Sequence, residues 1–142
     1  MITRHSEAEW LGSVTEGGGT VKFGSGAYQG PYSFKSRFES GTGTNPEQLI
    51  AASHAACYSM ALSNLLSQAG HVPDSVRTRA RVDLRNIDGA PTLSAIHLVT
   101  EGQVPGISQD EFSAFAEQAK VGCPISRALA GVPEITLEAK LV

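Results

Sequence analysis

The sequence predicts an α+β fold, with mostly antiparallel sheets packed around one long central helix. Three observations predict it. The stretch Gly41 to Gly70 reads as a single, nearly all-apolar helix. Segments that alternate with period two stand in blocks before and after it. Turn signals rich in glycine and proline separate these elements, and no linker, low-complexity tract or internal repeat interrupts them. Residues 1–142 therefore read as one domain, with strands in blocks rather than in regular strand–helix alternation.

Taken in order, residues 2–14 and 20–24 flank Glu16-Gly17-Gly18-Gly19 and predict a hairpin, with Trp10 in its first strand. Gly24 to Pro31 reads as loop. Tyr32 to Glu39 reads as a third strand, with Tyr32, Phe34, Ser36 and Phe38 on one face and Ser33, Lys35, Arg37 and Glu39 on the other. Gly41 and Gly43 then lead into the long helix. Asn45 suits its N-cap, Pro46 its first position, and Gln48 stands where a capping box needs it. Gly70 can take the left-handed conformation that ends a helix. Leu49, Ser53, Ala56 and Met60 form one stripe, with Ile50, Cys57 and Ala61 beside it. Ala51, Ala52, Ser53, Ala55 and Ala56 keep the helix thin, which predicts burial on several sides.

After Pro73, Val76, Thr78, Ala80, Val82 and Leu84 alternate with Arg77, Arg79, Arg81, Asp83 and Arg85, a strand with one charged face. That face reads as solvated and partly neutralised by neighbouring strands rather than as a nucleic-acid stripe. Asp88-Gly89 marks a turn before a strand from Thr92 to Val104. Ser108 and Glu111 form a capping box, and Ile107 and Phe112 a hydrophobic staple, for a helix running to Val121. It buries Phe112, Phe115, Ala116 and Ala119, and Gly122 ends it. Cys123-Pro124 opens a short helix to Ala130. The last strand, Glu134 to Val142, turns Ile135, Leu137, Ala139 and Leu141 inward.

Composition narrows the function classes. The chain is 41% hydrophobic and 18% charged, ordinary for a globular protein. A net charge of −3 gives no electrostatic reason to expect nucleic acid or an anionic membrane as partner. No apolar run approaches the roughly 20 residues needed to cross a bilayer. The start, MITRHSEAEW, has no signal-peptide core, so a cytoplasmic location is expected. Two cysteines, 66 positions apart, do not make a secreted disulfide scaffold. No CxxC or HxxxH spacing offers a metal site, and no glycine pattern with its lysine offers a phosphate loop, so neither metal nor cofactor is expected.

The candidate chemistry centres on Cys57. A thiol is nucleophilic only as thiolate, and an apolar setting raises its pKa unless a cation is supplied. Arg37 is the preferred cation; the competing reading is an exposed strand arginine. Cys123 at a helix N-cap suits a leaving or resolving thiolate, or it is small hydrophobic filler. Glu47 lies ten residues before Cys57, about 15 Å along a regular helix. It serves Cys57 only if the helix breaks or if a second copy packs antiparallel. Otherwise it is a first-turn acid favoured by the helix dipole. His54, three residues before Cys57, raises a Cys/His hydrolase as a weaker possibility, because no orienting third group is evident.

The run TNPEQLIAASHAACYSMAL (Thr44 to Leu62), with SFKSRFE (Ser33 to Glu39) before it and KVGCPIS (Lys120 to Ser126) after it, resembles the osmotically inducible protein C (OsmC) family. The AEWxG start, Ala8 to Gly12, and PGIS, Pro105 to Ser108, extend the resemblance over nearly the whole chain. It implies an intertwined homodimer with two long helices at its centre. It implies a thiol-dependent peroxidase that reduces organic hydroperoxides, and hydrogen peroxide as a further substrate, in oxidative and osmotic stress defence. Cys57 matches the peroxidatic cysteine, Cys123 the resolving one, Arg37 the arginine that holds the thiolate, and Glu47 the glutamate that orients that arginine. An external dithiol, of dihydrolipoyl type in the related organic hydroperoxide resistance branch, is the implied reductant. Phe38 and Met60 are expected among the apolar walls that receive an alkyl tail. The alternative is a non-catalytic module that binds an apolar ligand or a partner, with both cysteines as packing.

Overall fold

A computed structural model describes residues 1–142, which divide into two compact units, Met1–Leu49 and Ile50–Val142. In the first unit, β1 (Ser6–Leu11) pairs antiparallel with β2 (Gly18–Phe23), and β2 with β3 (Gln29–Tyr32), in the order β1-β2-β3. The hairpin forms as expected, but it turns over residues 12–17: β1 stops at Leu11, and Gly18 and Gly19, expected in the turn, already pair with Leu11 and Trp10 in β2. The Trp10 indole N–H is shared between the carbonyls of Gly12 and Ser13, at 3.1 and 3.2 Å, and pins the start of the turn.

The third strand was expected at Tyr32 to Glu39, and that expectation is wrong. The strand is β3, which takes Gln29 to Pro31 from the stretch read as loop and ends at Tyr32, and Phe34–Phe38 is a short helix, α1. Two sequence features decide it. Ser33 is the N-cap: its side chain accepts from the Ser36 N–H at 3.1 Å, while the Ser36 hydroxyl accepts from the Ser33 N–H at 2.8 Å. Phe34 and Phe38, read as alternating strand positions, are also four apart, and their rings lie 5.0 Å from centre to centre on one helix face. The Ser36 hydroxyl also reaches the Thr44 carbonyl at 2.7 Å, and the Asn45 side-chain amide donates to the Ser36 carbonyl at 2.9 Å. These bonds tie α1 to the entry of the long helix.

That helix, α2 (Pro46–Gln68), starts where its capping signals placed it, with the Gln48 N–H donating to Asn45 Oδ1 at 2.8 Å. It ends at Gly70, whose φ of +88° lets the His71 N–H reach back to the Leu66 carbonyl at 2.8 Å. Its burial differs from expectation. His54, Tyr58, Leu62 and Leu66 form the fully buried stripe, whereas Ser53, Ala56 and Met60 are exposed. A helix that is apolar or small all round gives no dominant stripe, so the sequence could not say which face docks. By length and composition α2 is also long and apolar enough to cross a membrane, which corrects the expectation that no stretch approaches that length. The same test is passed by core helices, and its buried stripe packs against protein.

In the second unit, β4 (Ser75–Ile87) and β5 (Ala90–Gln103) make a long hairpin about Asp88 and Gly89, both at positive φ, as a two-residue type I′ turn requires. β6 (Glu134–Leu141) joins β5 in parallel, a departure from purely antiparallel pairing. The helices α3 (Gln109–Gly122) and α4 (Pro124–Ala128) carry the chain back to start that strand. The Ser108/Glu111 capping box is present in both directions. The outer sheet face sets Arg77 opposite Glu101, and Asp83 takes a hydrogen bond from Arg81 at 3.1 Å and lies 3.2 Å from His97.

The core joins Tyr58, Leu62 and Leu66 of α2 to Ile96 and Leu98 of β5 and to Phe112, Ala116 and Ala119 of α3. The Tyr58 hydroxyl is buried with them and donates to the Ala116 carbonyl at 3.0 Å. α3 sits close to the sheet at Gly102, where an added Cβ would meet the Phe112 ring at 2.4 Å. Phe112 is fully buried and has nowhere to go. Gly102→Ala is therefore expected to lower stability by about 1–3 kcal/mol through overpacking, read as a fall in the urea midpoint at unchanged slope.

Candidate active site

Cys57 lies near the middle of α2, and Cys123 is the N-cap residue of α4. The two sulfurs are 3.0 Å apart, and both are free thiols. Cys123 is fully buried, while Cys57 is half-buried and so open on one side. Local sequence explains the approach. Gly122 ends α3, Pro124 starts α4, and the corner between them aims Cys123 at α2. Both thiols lie in the second compact unit, and the pair was not read from spacing alone.

Burial pushes the Cys57 thiol above its ordinary pKa, and its pairing with the second thiol, Cys123, adds to the rise. The Ile125 backbone N–H in the first turn of α4 pulls the other way, because it favours the anion. The upward influences win. A neighbourhood of apolar groups, a second thiol and one amide leaves Cys57 as a thiol at neutral pH unless a positive group is added.

The first unit holds the other two expected residues. Arg37 is on α1, not on a strand, so its position is corrected along with that element. Its Nη2 lies 2.9 Å from Glu47 Oε1, and its Nε lies 3.3 Å from each carboxylate oxygen. The Glu47 side chain is largely buried and that of Arg37 is 37% exposed, so the pair is anchored at the acid and open at the guanidinium. Nη1 is not committed to this bond set. The Arg37 guanidinium carbon also sits 5.2 Å from the centre of the Phe38 ring. Beside it is a cavity of about 180 Å³ lined by Trp10, Val14, Tyr32, Phe34, Arg37 and Phe38. Phe38 is one of the walls of this cavity. Met60, in the second unit, is 75% exposed and lines an open groove with Ser63, Asn64 and Pro73.

His54 does not form the arrangement a Cys/His hydrolase needs. Its Nε2 is 2.7 Å from Ser126 Oγ, and its Nδ1 has no partner, so no carboxylate or carbonyl orients the ring. Burial lowers its pKa and keeps it neutral. Neither Ser126 nor the Ile125 N–H was anticipated. The available signal was symmetry of spacing: His54 stands three residues before Cys57, and Ser126 three after Cys123. No group of three or more His, Cys, Asp or Glu side chains is placed to hold a metal ion.

The family model described as OsmC-like protein matches residues 39–138. The peroxiredoxin OsmC of Escherichia coli (strain K12) is 45% identical over 141 residues, which cover 99% of this chain and 97% of that one. The organic hydroperoxide resistance protein OhrA of Bacillus subtilis (strain 168) is 35% identical over 95 residues, 67% of this chain and 66% of the relative. The crystal structure of the organic hydroperoxide resistance protein OhrB of Bacillus subtilis superposes with a TM-score of 0.72 at 23% identity, covering 97% of this chain and 98% of that one. At that identity the likeness speaks for the fold.

Proposed function

This chain belongs to the OsmC-like protein family, and from that premise we propose that it is a thiol-dependent peroxidase of stress defence that reduces organic hydroperoxides, with hydrogen peroxide as a further substrate. The observation that carries the reading is the 3.0 Å approach of Cys57 and Cys123. The Cys57 thiolate attacks the distal peroxide oxygen, the O–O bond breaks, and an alkoxide leaves to take up a proton as alcohol. Cys57 is left as a sulfenic acid. Cys123 then attacks its sulfur and water leaves, giving a disulfide whose S–S length of about 2.05 Å needs only a small movement of the sulfurs.

Arg37 is the cation that the pKa argument requires: it stabilises the thiolate before attack and the alkoxide during it. Glu47 holds the guanidinium at two of its nitrogens and leaves Nη1 for substrate. The aromatic cavity beside Arg37 accepts an apolar tail, which favours organic hydroperoxides over hydrogen peroxide. The site is completed in a homodimer. Support comes from α2, which is unbroken, so the reading that relied on a break in the helix has no footing. Support also comes from its exposed Ala52, Ser53 and Ala56, small enough for a second α2 to approach, and from Met60, an exposed apolar side chain on the same helix. The two compact units work as one functional domain. An external dithiol, of dihydrolipoyl type, restores the thiols by exchange, a cycle suited to a reducing cytoplasm.

Mass spectrometry after one equivalent of cumene hydroperoxide tests the reading. The expected product is a Cys57–Cys123 linked peptide, with both thiols lost together. Two intact thiols alongside unspent peroxide would leave the cysteines as packing.

A further inference from the structure

The proposed reading uses two sulfurs, an arginine and a glutamate, and leaves one buried polar pair without a task. His54 is fully buried, and Ser126, its partner at 2.7 Å, is 7% exposed. Position makes the pair informative. His54 is one turn before Cys57 on α2, and Ser126 is one turn after Cys123 on α4. The contact therefore spans the same two helices as the thiols. With the Ile125 N–H bonded to Cys57, three links hold the first turn of α4 against α2.

We propose that His54 and Ser126 are positioning residues that hold the first turn of α4 on α2, so that Cys123 stays within reach of Cys57 after Cys57 has been oxidised. The chemistry explains the need. When Cys57 becomes a sulfenic acid, its sulfur carries an added oxygen. The Cys123-to-Cys57 hydrogen bond of the reduced pair is then no longer made as it was. α4 has only five residues, so it contributes little stability of its own to keep Cys123 in place. The His54–Ser126 bond involves neither sulfur and persists through the step. In that step the Cys123 sulfur attacks the Cys57 sulfur, the S–O bond breaks, and the hydroxyl leaves with a proton as water.

The side-chain details fit a holding role. His54 Nδ1 is buried without a partner. An orphan acceptor is less costly than an orphan N–H, so the proton belongs on Nε2, which donates to Ser126 Oγ. A purely apolar side chain would fill the same place without leaving a nitrogen unpaired. The polar ring is explained by the hydroxyl it grips.

The inference rests on the peroxidase reading for its purpose, but its geometry can be tested apart from it. A glutathione redox titration gives the effective concentration of Cys123 toward Cys57 without any peroxide. Ser126→Ala is expected to lower it about tenfold, the worth of one buried hydrogen bond. Ser126→Thr keeps the hydroxyl and is expected to stay near wild type. In rapid mixing with cumene hydroperoxide, Ser126→Ala should lose its Cys57 thiol at the wild-type rate and form the disulfide about tenfold more slowly. The sulfenic acid should then be trapped by dimedone or overoxidised to sulfinic acid. Equal effective concentrations in wild type and Ser126→Ala would overturn the proposal, as would equal losses in Ser126→Ala and Ser126→Thr. Wild-type protein that ignores peroxide would remove the peroxidase reading, while the titration would still decide the holding role.

Discussion

Cys57→Ser is expected to lose peroxide consumption down to the level of free solution, a fall on the order of a thousandfold or more, as when the nucleophile of a cooperating set is removed. The reason lies in the atom replaced. A serine hydroxyl at this site is not ionised at neutral pH, and it cannot form the sulfenic acid from which the rest of the cycle proceeds. The substitution is nearly isosteric at a half-buried position, so the fold should survive it. An unchanged melting temperature with absent turnover, measured by ferrous-xylenol-orange assay of residual peroxide, is the expected pair of results. Persistent turnover would mean that Cys123 or another group reacts first.

Cys123→Ser is expected to behave differently. Cys57 keeps its position on α2, so the first equivalent of hydroperoxide should still be reduced at close to the wild-type rate. The reaction should then stop, because no thiol stands 3.0 Å away to displace the hydroxyl from the oxidised sulfur. A burst of one alcohol per subunit, followed by a steady rate at least about tenfold lower with a dithiol as reductant, is the expected trace. Overoxidation of Cys57 to sulfinic acid should follow at excess peroxide. The fully buried position of Cys123 bears on stability too, but Cys→Ser there introduces one hydroxyl and costs on the order of 1–3 kcal/mol. A melting curve separates that cost from the kinetic effect.

Much of this molecule could be read from local signals. Asn45, Pro46 and Gly70 bounded α2 because each residue type answers a specific backbone need at a helix end. Ser108 with Glu111 marked the start of α3 for the same reason, and Asp88-Gly89 fixed the β4–β5 turn because both positions require positive φ. What failed was what local signals do not contain. Phe34 and Phe38 satisfy both a two-residue and a near-four-residue period, and only the reciprocal bonds of Ser33 and Ser36 resolve the choice in favour of α1. α2 is apolar or small on every side, so its docking stripe, His54, Tyr58, Leu62 and Leu66, depends on the sheet it meets. The parallel placement of β6 depends on how α3 and α4 return the chain.

The candidate site divides along the same line. Cys57 stood out as a thiol inside an apolar helix, and Cys123 as a thiol at a helix N-cap; their 3.0 Å approach is a tertiary fact that resemblance implied and spacing did not. Arg37 was chosen as a cation on electrostatic grounds and was placed on the wrong element, a strand where the chain forms α1. Glu47 was weighed from its spacing to Cys57, its pairing with the arginine came only from the resemblance, and the structure sets it against Arg37 at 2.9 Å. Ser126 carried only the signal of its spacing, three residues after Cys123, because its partner His54 is 72 positions away.

The central claim is that Cys57, whose own surroundings push it toward the protonated thiol, is held as thiolate by the Arg37 guanidinium. The most direct measurement is the pH profile of Cys57 alkylation by iodoacetamide in the reduced protein, compared with Arg37→Ala. The sign is fixed: burial raises the midpoint, and a guanidinium lowers it. The wild-type midpoint is expected below the ordinary thiol value of about 8.5, with Arg37→Ala moving it up by about one pH unit or more. A wild-type midpoint above that value, unmoved by Arg37→Ala, would contradict the account.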